Sequence, residues 1–570
     1  MNGRHLVLAV TLVASGPALA QLTVTAPGAA GVTVAEGVDY ATQVLGNRWD
    51  FEGPDDVELP LSSQVTNETF VDGIYSGTAT GTDSKFFLLD PGLPSAVRNL
   101  SGDRFPIDTG RFTQFSIKIR HGGAEEENLQ VFWFEENRPP SVFGRTAQSF
   151  SIGTGDWTIV TIDLAAASAV QTPWSNFDLV QGFRVDPHRT NGLDFDVDWV
   201  RLTAPTEGAG TTTTVRWTAT GLDGGTYTIE AIDEDGAALT LASGIPGTSR
   251  ASTVDLALLA PGDYTIRVSS SLGDSADSVG PATIASAPIL DFDAPHLRGD
   301  IANEYATVEL GNPWGPLEPA DVDLLLNLVD ESYAGQVLTA TSTTSDPGVR
   351  MMTPVPIDSQ FYHQVSFIKE LESPVILQQG QGVARFIYGP TEGRPGDAVP
   401  SEDIILFEGR TEYLLGDMRE VRIEGSEPSR WTGLVRFVRL DPHESPLPKE
   451  SIFEAIRIAP YHSADPTMTV AWRIVDPDSS SFEVCLFVDP DDDPGSGNEG
   501  ALPCFATGPG AGARLVDFTG SLAPGVYRLY GTIDDGLHQV ARYASGLIRL
   551  GPAVDVPVDP DVIFKDGFER

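Results

Sequence analysis

The stretch VDPDDDPGSGNEG, from Val488 to Gly500, is where residue types most suggest chemistry. Asp489, Asp491 and Asp493 alternate, so their hard carboxylate oxygens could converge on Ca2+. The loop departs from the helix-loop-helix calcium pattern, because Pro494 stands at the sharp-turn glycine and Gly500 at the bidentate glutamate. A solvated acidic hairpin is therefore the other reading. Cys485 and Cys504, the two cysteines of the chain, flank the stretch. In an exported protein they are expected to form a disulfide.

Catalytic signatures are sparse. No G-x-S-x-G, H-E-x-x-H, phosphate-binding loop or dinucleotide fingerprint occurs, and the eight histidines are scattered singly. With 80 acidic residues, a carboxylate pair chosen by eye carries almost no information about glycoside chemistry. One Arg-x-Asp-x-His phrase occurs twice, as Arg184-Asp186-His188 and Arg439-Asp441-His443. Without an accompanying nucleophile motif it reads as a strand-end salt bridge and turn rather than an Asp–His dyad.

That recurrence belongs to a larger one. DYATQVLGNRWDFEGPDDVEL (Asp39 to Leu59) returns 265 positions later as EYATVELGNPWGPLEPADVDL, with 11 of 21 residues identical, Trp49 and Trp314 included. FRVDPH returns as VRLDPH, and DWVRL (Asp198 to Leu202) as EAIRI (Glu454 to Ile458). Gly155-Asp156-Trp157 is matched with Gly416-Asp417-Met418, and LAPGDYTIRV with LAPGVYRLYG. The chain therefore reads as a tandem duplication of a long module followed by a short one, A-B-A-B.

Both modules read as β structure. Phe115, Ile117 and Ile119 alternate with polar residues, as do Tyr227, Ile229 and Ala231, and Tyr264, Ile266 and Val268. Period two buries one face of a sheet and wets the other. Glycine and proline, 58 and 42 residues, punctuate the strands. Leu164 to Val170 is the best short helical candidate. The expected fold class is all-β, two larger β-sandwiches alternating with two smaller ones. The expected boundaries are 1–20, 21–205, 206–287, 288–463, 464–551 and 552–570.

The order GNRWDFEGPDDV, LQVFWFEEN, GDWTIVTIDL, then FRVDPH and FDVDWVRL resembles the galactose-binding-like jelly rolls that serve as carbohydrate-binding modules or stand beside polysaccharide lyases and hydrolases. The shorter module, with Trp217 or Trp472 near its start and an APG-x-Y phrase late, is similar to immunoglobulin-like or fibronectin-type domains. The tail DVIFKDGFER resembles short endings of exported gammaproteobacterial proteins and is a candidate sorting tag. The jelly-roll resemblance implies sugar contacts from aromatic faces, with Trp133, Trp157 and Trp199 as candidates, although a strand tryptophan is more often a core residue and each is read as that first. Their second-copy counterparts are placed near Phe386, Met418 and Ala455. It also implies a structural Ca2+ held by Asp196 and Asp198, with Asp50 or Glu52.

Composition narrows the partners. Lys plus Arg number 36 against 80 Asp plus Glu, a net charge of −44, which repels nucleic acid and anionic lipid. Residues 1–20 read as a secretory leader, with Arg4, an apolar stretch too short to span a bilayer, and an Ala18-Leu19-Ala20 cleavage site. No later segment has the length of a membrane span. The expectation is an exported protein (periplasmic, cell-surface or extracellular) that binds a polysaccharide or surface glycan without catalysis. A polysaccharide-active lyase or hydrolase and a structural envelope or matrix protein are the alternatives.

Overall fold

The computed structural model describes residues 21–58, 62–89, 106–123, 127–134, 143–146, 150–152, 155–205, 207–292, 304–315, 317–371, 383–389, 398–401, 404–405, 409–418, 429–443, 449–460, 467–491, 496–517, 525–543 and 548–550. Residues 1–20, the C-terminal residues 552–570 and Asp493 lie outside them. The chain is all-β. Helical structure among the described residues is confined to short turns, including the π-turns Ala41–Leu45 and Ala306–Leu310. None is long and apolar enough to cross a membrane. Leu164 to Val170, expected as a helix, is a turn followed by the strand Ala169–Gln171.

The alternating residues behave as their period requires. Phe115, Ile117 and Ile119 are fully buried, and so are Tyr227, Ile229 and Ala231. In the first large sandwich one sheet runs Thr158–Asp163, Gln114–His121, Asp194–Thr203, Ile74–Ala79, Val65–Val71. The other runs Ala169–Gln171, Phe143–Thr146, Glu127–Phe134, Gly182–Asp186, Phe86–Leu89. A shared core joins them, with Phe115, Ile117, Val197 and Leu202 from one sheet and Val131, Trp133, Phe183 and Val185 from the other.

The second large sandwich repeats the order of the first sheet in full and four strands of the other, whose fifth strand lies at the opposite edge. Gly409–Asp417, Tyr362–Leu371, Glu450–Pro460, Leu338–Ser342 and Leu328–Ser332 form one sheet. Val399–Pro400, Val383–Gly389, Phe437–Asp441, Gly348–Met351 and Val322–Leu326 form the path of the other. The repeated opening phrase builds the same clasp in both copies. Asp39 accepts the Thr42 backbone N–H at 3.1 Å, and Glu304 accepts the Thr307 hydroxyl at 3.2 Å. Tyr40 packs on Trp49 at 5.5 Å and Tyr305 on Trp314 at 5.4 Å. The carbonyls of Trp49 and Trp314 accept the N–H of Val200 and Ile456, each at 2.9 Å, tying the phrase to the sandwich's last strand.

Gln21–Ala26 pairs antiparallel with Thr212–Thr220, and Ile289–Phe292 with Thr467–Val475. The stretches 21–205 and 288–463 thus each begin with a strand belonging to the sheet of the following small module. The first large sandwich is an insertion after two strands of its small sandwich, Gln21–Ala26 and Val32–Ala35, and the second follows Ile289–Phe292. Entry and exit of the first insertion lie side by side, with the Ala204 N–H donating to the Val38 carbonyl at 2.9 Å. Close termini are what an inserted unit needs. The chain divides accordingly into a discontinuous unit, Met1–Val34, Gly210–Leu256 and Pro261–Ile284, and a larger one holding the rest.

Cys485 and Cys504 form a disulfide, Cα to Cα 4.1 Å, that ties the central strand Phe482–Asp489 to the segment before Phe505–Thr507. Closing a loop with a sequence separation of 19 is worth about 3 kcal/mol. Double replacement by serine should lower the stability of that sandwich by roughly this much, read as earlier loss of hydrogen-exchange protection in Phe482–Asp489.

Candidate functional site

The outward face of the sheet Thr158–Asp163, Gln114–His121, Asp194–Thr203, Ile74–Ala79, Val65–Val71 carries the chemistry. Because successive side chains alternate, burying Ile117 and Ile119 turns Lys118 and Arg120 outward. Burying Tyr75 and Phe195 likewise turns Ser76, Thr78, Asp194 and Asp196 outward. A cavity of about 420 Å³ lies there, lined by Asn67, Ser76, Thr78, Arg120, Asp194 and Asp196 among others.

The wall is pre-ordered by its own hydrogen bonds. The Thr78 hydroxyl donates to Asp194 at 2.6 Å, Asn67 Nδ2 donates to that hydroxyl at 3.3 Å, and the Ser76 hydroxyl donates to Asp196. Arg120 Nε lies 2.7 Å from the other Asp196 oxygen, and Lys118 Nζ 2.6 Å from Asp198. At one edge the indole of Trp157, half-buried, packs on these cations, with the Arg120 guanidinium 4.4 Å and the Lys118 ammonium 5.1 Å from the ring centroid. His121 lines the cavity but is itself buried, its Nδ1 accepting the Gly123 N–H at 3.1 Å. The face thus offers fixed donors and acceptors, three carboxylates against two cations, and one aromatic edge.

The three aromatic candidates separate. Trp157 stays at the surface beside the cleft. Trp133 is withdrawn as a ligand contact. It is fully buried between the sheets, 5.5 Å from Trp174 in an edge-to-face pair, with its Nε1 donating to the Thr172 carbonyl. Trp199 is also buried, 7% exposed, and presents no open ring face. A register shift between Val197 and Trp199 brings it opposite Lys118.

The register corrects the expected counterparts as well. Phe183 pairs with Trp133 and Val438 with Tyr388, so Tyr388, not Phe386, occupies the Trp133 position. Asp163 pairs with Gln114 as Asp417 pairs with Gln364, which makes Met418 the equivalent of Leu164. Trp157 falls instead at the position of Arg410. By the same register Arg120 corresponds to Glu370 and Asp196 to Ile452, whereas Trp199 does correspond to Ala455. The second sandwich therefore does not repeat the charges of the cleft.

The metal candidates are not brought together. Asp196 and Asp198 are paired with Arg120 and Lys118, cations standing where a calcium ion would have to compete. Asp489 is buried and accepts the Tyr543 hydroxyl and the Asp491 N–H; Asp491 in turn accepts Asn498 Nδ2 at 2.7 Å. Burial pushes the Asp489 carboxyl up, with Tyr543 acting the other way. Burial likewise pushes Asp50 up to about 6. Among the described residues no three metal-ligating side chains cluster.

The duplicated Arg-x-Asp pair is a buried ion pair. Arg184 Nε and Nη2 donate to the two Asp186 oxygens at 2.6 and 2.8 Å, and Nη2 also reaches Asp83 at 2.8 Å. Arg439 meets the equivalent carboxylates, Asp441 and Asp346, but through Nη2 alone. Arg120, Asp194, Asn67, Ser76 and Thr78 are the cleft residues that motif reasoning passed over. Their signal was the polar half of the same alternation that marked the core. Comparison with protein-family models and with curated proteins finds no match for the chain.

Proposed function

We propose that this chain is an exported, non-catalytic glycan-binding protein whose ligand occupies the cleft of the first large sandwich. The large sandwiches act as galactose-binding-like jelly rolls and the small ones as immunoglobulin-like spacers. The observation that carries this reading is the cleft itself, a hydrogen-bonded row of Asn67, Thr78, Asp194, Ser76, Asp196 and Arg120 ending at the Trp157 indole. Sugar recognition uses such a combination, with carboxylates and amides reading hydroxyls and an aromatic edge taking the C–H face. Pre-formed side-chain contacts keep the ordering cost of binding low. The second sandwich lacks this charge set, so one binding site per chain is expected.

The test is a polysaccharide and glycan array followed by calorimetry on the best hit. Trp157→Ala should weaken binding at least tenfold, and Asp194→Asn should weaken it while leaving the fold intact. Ile452→Asp, at the Asp196 position of the second copy, should leave binding unchanged. Silence of the folded chain across the array would instead favour a structural envelope or matrix role.

A further inference from the structure

A second cluster of charged groups lies away from the cleft, wholly within the larger unit. Glu36, at the entry to the first large sandwich, has a fully buried side chain. Its carboxylate accepts Arg201 Nη1, Arg48 Nη2 at 3.3 Å and the Ala287 N–H at 2.6 Å. Arg201 also donates to the Gly37 carbonyl at 3.0 Å, and Arg48 to the Ala287 carbonyl. The two guanidiniums and this buried carboxylate bring the first large sandwich and the Ala285–Ala287 segment to one point.

The second small sandwich reaches the same point through its hairpin Gly525–Asp534 to Gln539–Tyr543. The backbone N–H of Glu36 is shared between two acceptors, His538 Nε2 at 2.9 Å and the Ala285 carbonyl at 3.1 Å. On the other side of the ring, Nδ1 lies 2.8 Å from Asp535 Oδ2. Asp535 is fixed in turn by the N–H groups of Leu537 and His538, at 2.7 and 2.6 Å. Further contacts follow the same seam. The Ser286 N–H donates to Asp478 at 2.8 Å, and within the small sandwich Arg542 Nη1 donates to the Leu290 carbonyl at 3.3 Å. The Arg542 guanidinium occupies the space a β-carbon on Gly46 would need, 2.0 Å away. Gly311, at the matching place in the second copy, has nothing within 4 Å.

This geometry admits one protonation state. Nε2 accepts, so the ring proton sits on Nδ1 and points at Asp535; the imidazole is neutral. A second proton would put N–H against N–H and remove the acceptor. The groups facing the ring are Asp535 on its own turn, Asp478 on the neighbouring turn, and Glu36, Arg48 and Arg201 on the opposite side. Glu36 and the buried Asp39 beside it are set against the two arginines, so this side offers an imidazolium no spare carboxylate. A contact that uses Nε2 as acceptor is incompatible with a proton on that nitrogen.

We propose that His538 is an acid-released latch holding the first large sandwich against the hairpin of the second small one. The test is hydrogen exchange by mass spectrometry on the full chain at pH 7.5 and pH 5, corrected for intrinsic exchange. Gln114–His121 serves as the reference for global folding. Protection across residues 36–48 should fall at least tenfold at pH 5 while the reference strand holds. His538→Gln keeps an acceptor without a titrating ring and should hold protection at both pH values. His538→Ala should lose it at both. No pH response in the wild type, or an equal response in His538→Gln, overturns the proposal. Should His538→Ala fail to fold, the comparison of wild type with His538→Gln decides the matter.

Discussion

Replacing Trp49 by alanine should destabilise the first large sandwich by about 3–5 kcal/mol, the range for deleting a buried large aromatic. Trp49 is 1% exposed, packs on Tyr40, and stacks on Phe183 at 6.2 Å with ring planes 10° apart. Its carbonyl holds the last strand through Val200, so the cavity would open where the entry segment is clasped to the sheet. The indole Nε1 has no hydrogen-bond partner. The ring is therefore kept for volume, and Trp49→Phe should cost far less than Trp49→Ala. Trp314→Ala should cost less too, because the residue at the Phe183 position of the second copy is Val438. Hydrogen-exchange protection in Asp194–Thr203 and in Glu450–Pro460 would report each sandwich separately, which a single melting curve of a multidomain chain does not. If Trp49→Ala leaves the strand Asp194–Thr203 as protected as before, the clasp is not what secures it.

Trp49 also shows what the sequence makes legible. Retention of GN-x-W across two diverged copies signals a shared structural requirement, and the structure gives that requirement as one clasp used twice. The alternation at Phe115, Ile117 and Ile119 located a core strand, because period two is a local property. The pairing of Gln21–Ala26 with Thr212–Thr220 is not local, so no window of sequence reveals that the large sandwich is an insertion. Register is equally hidden. Gly155-Asp156-Trp157 and Gly416-Asp417-Met418 look alike as strings, yet their ladders place them seven residues apart. Trp133 looked like a sugar platform because residue type says nothing about which sheet face it joins. The cleft required knowing which polar residues of three strands share a face, and the irregularity between Val197 and Trp199 changes that count by one. Glu36 and His538 are 502 positions apart, beyond any motif.

Lys369→Met should stabilise the second large sandwich by roughly 1–2 kcal/mol at neutral pH, the lower part of the range for replacing buried charge by packed apolar groups. Lys369 is 1% exposed and, by register, stands where the first copy has the fully buried Ile119. Its ammonium donates to the Pro442 carbonyl at 2.6 Å, a bond whose loss offsets part of the gain. Burial holds the Lys369 amine well below its ordinary range. The folded state thus binds fewer protons than the unfolded one, and wild-type stability falls as pH drops from about 10.4, the usual lysine value, through the folded value. The variant's advantage should therefore be small near pH 10.5, grow toward neutrality, and level off below the folded value. His443 adds an acid limb. Burial, with Lys369 and Lys449 beside it, lowers its imidazole to about 3, so stability is lost as pH falls from about 6.5 toward 3. Removing the neighbouring ammonium should make that limb shallower in Lys369→Met. Urea titrations at pH 4, 6, 7.5 and 10, followed by exchange in Tyr362–Leu371, measure both effects. A gain independent of pH would mean that packing alone separates lysine from methionine. A net loss would mean that the Pro442 contact outweighs the burial of the amine.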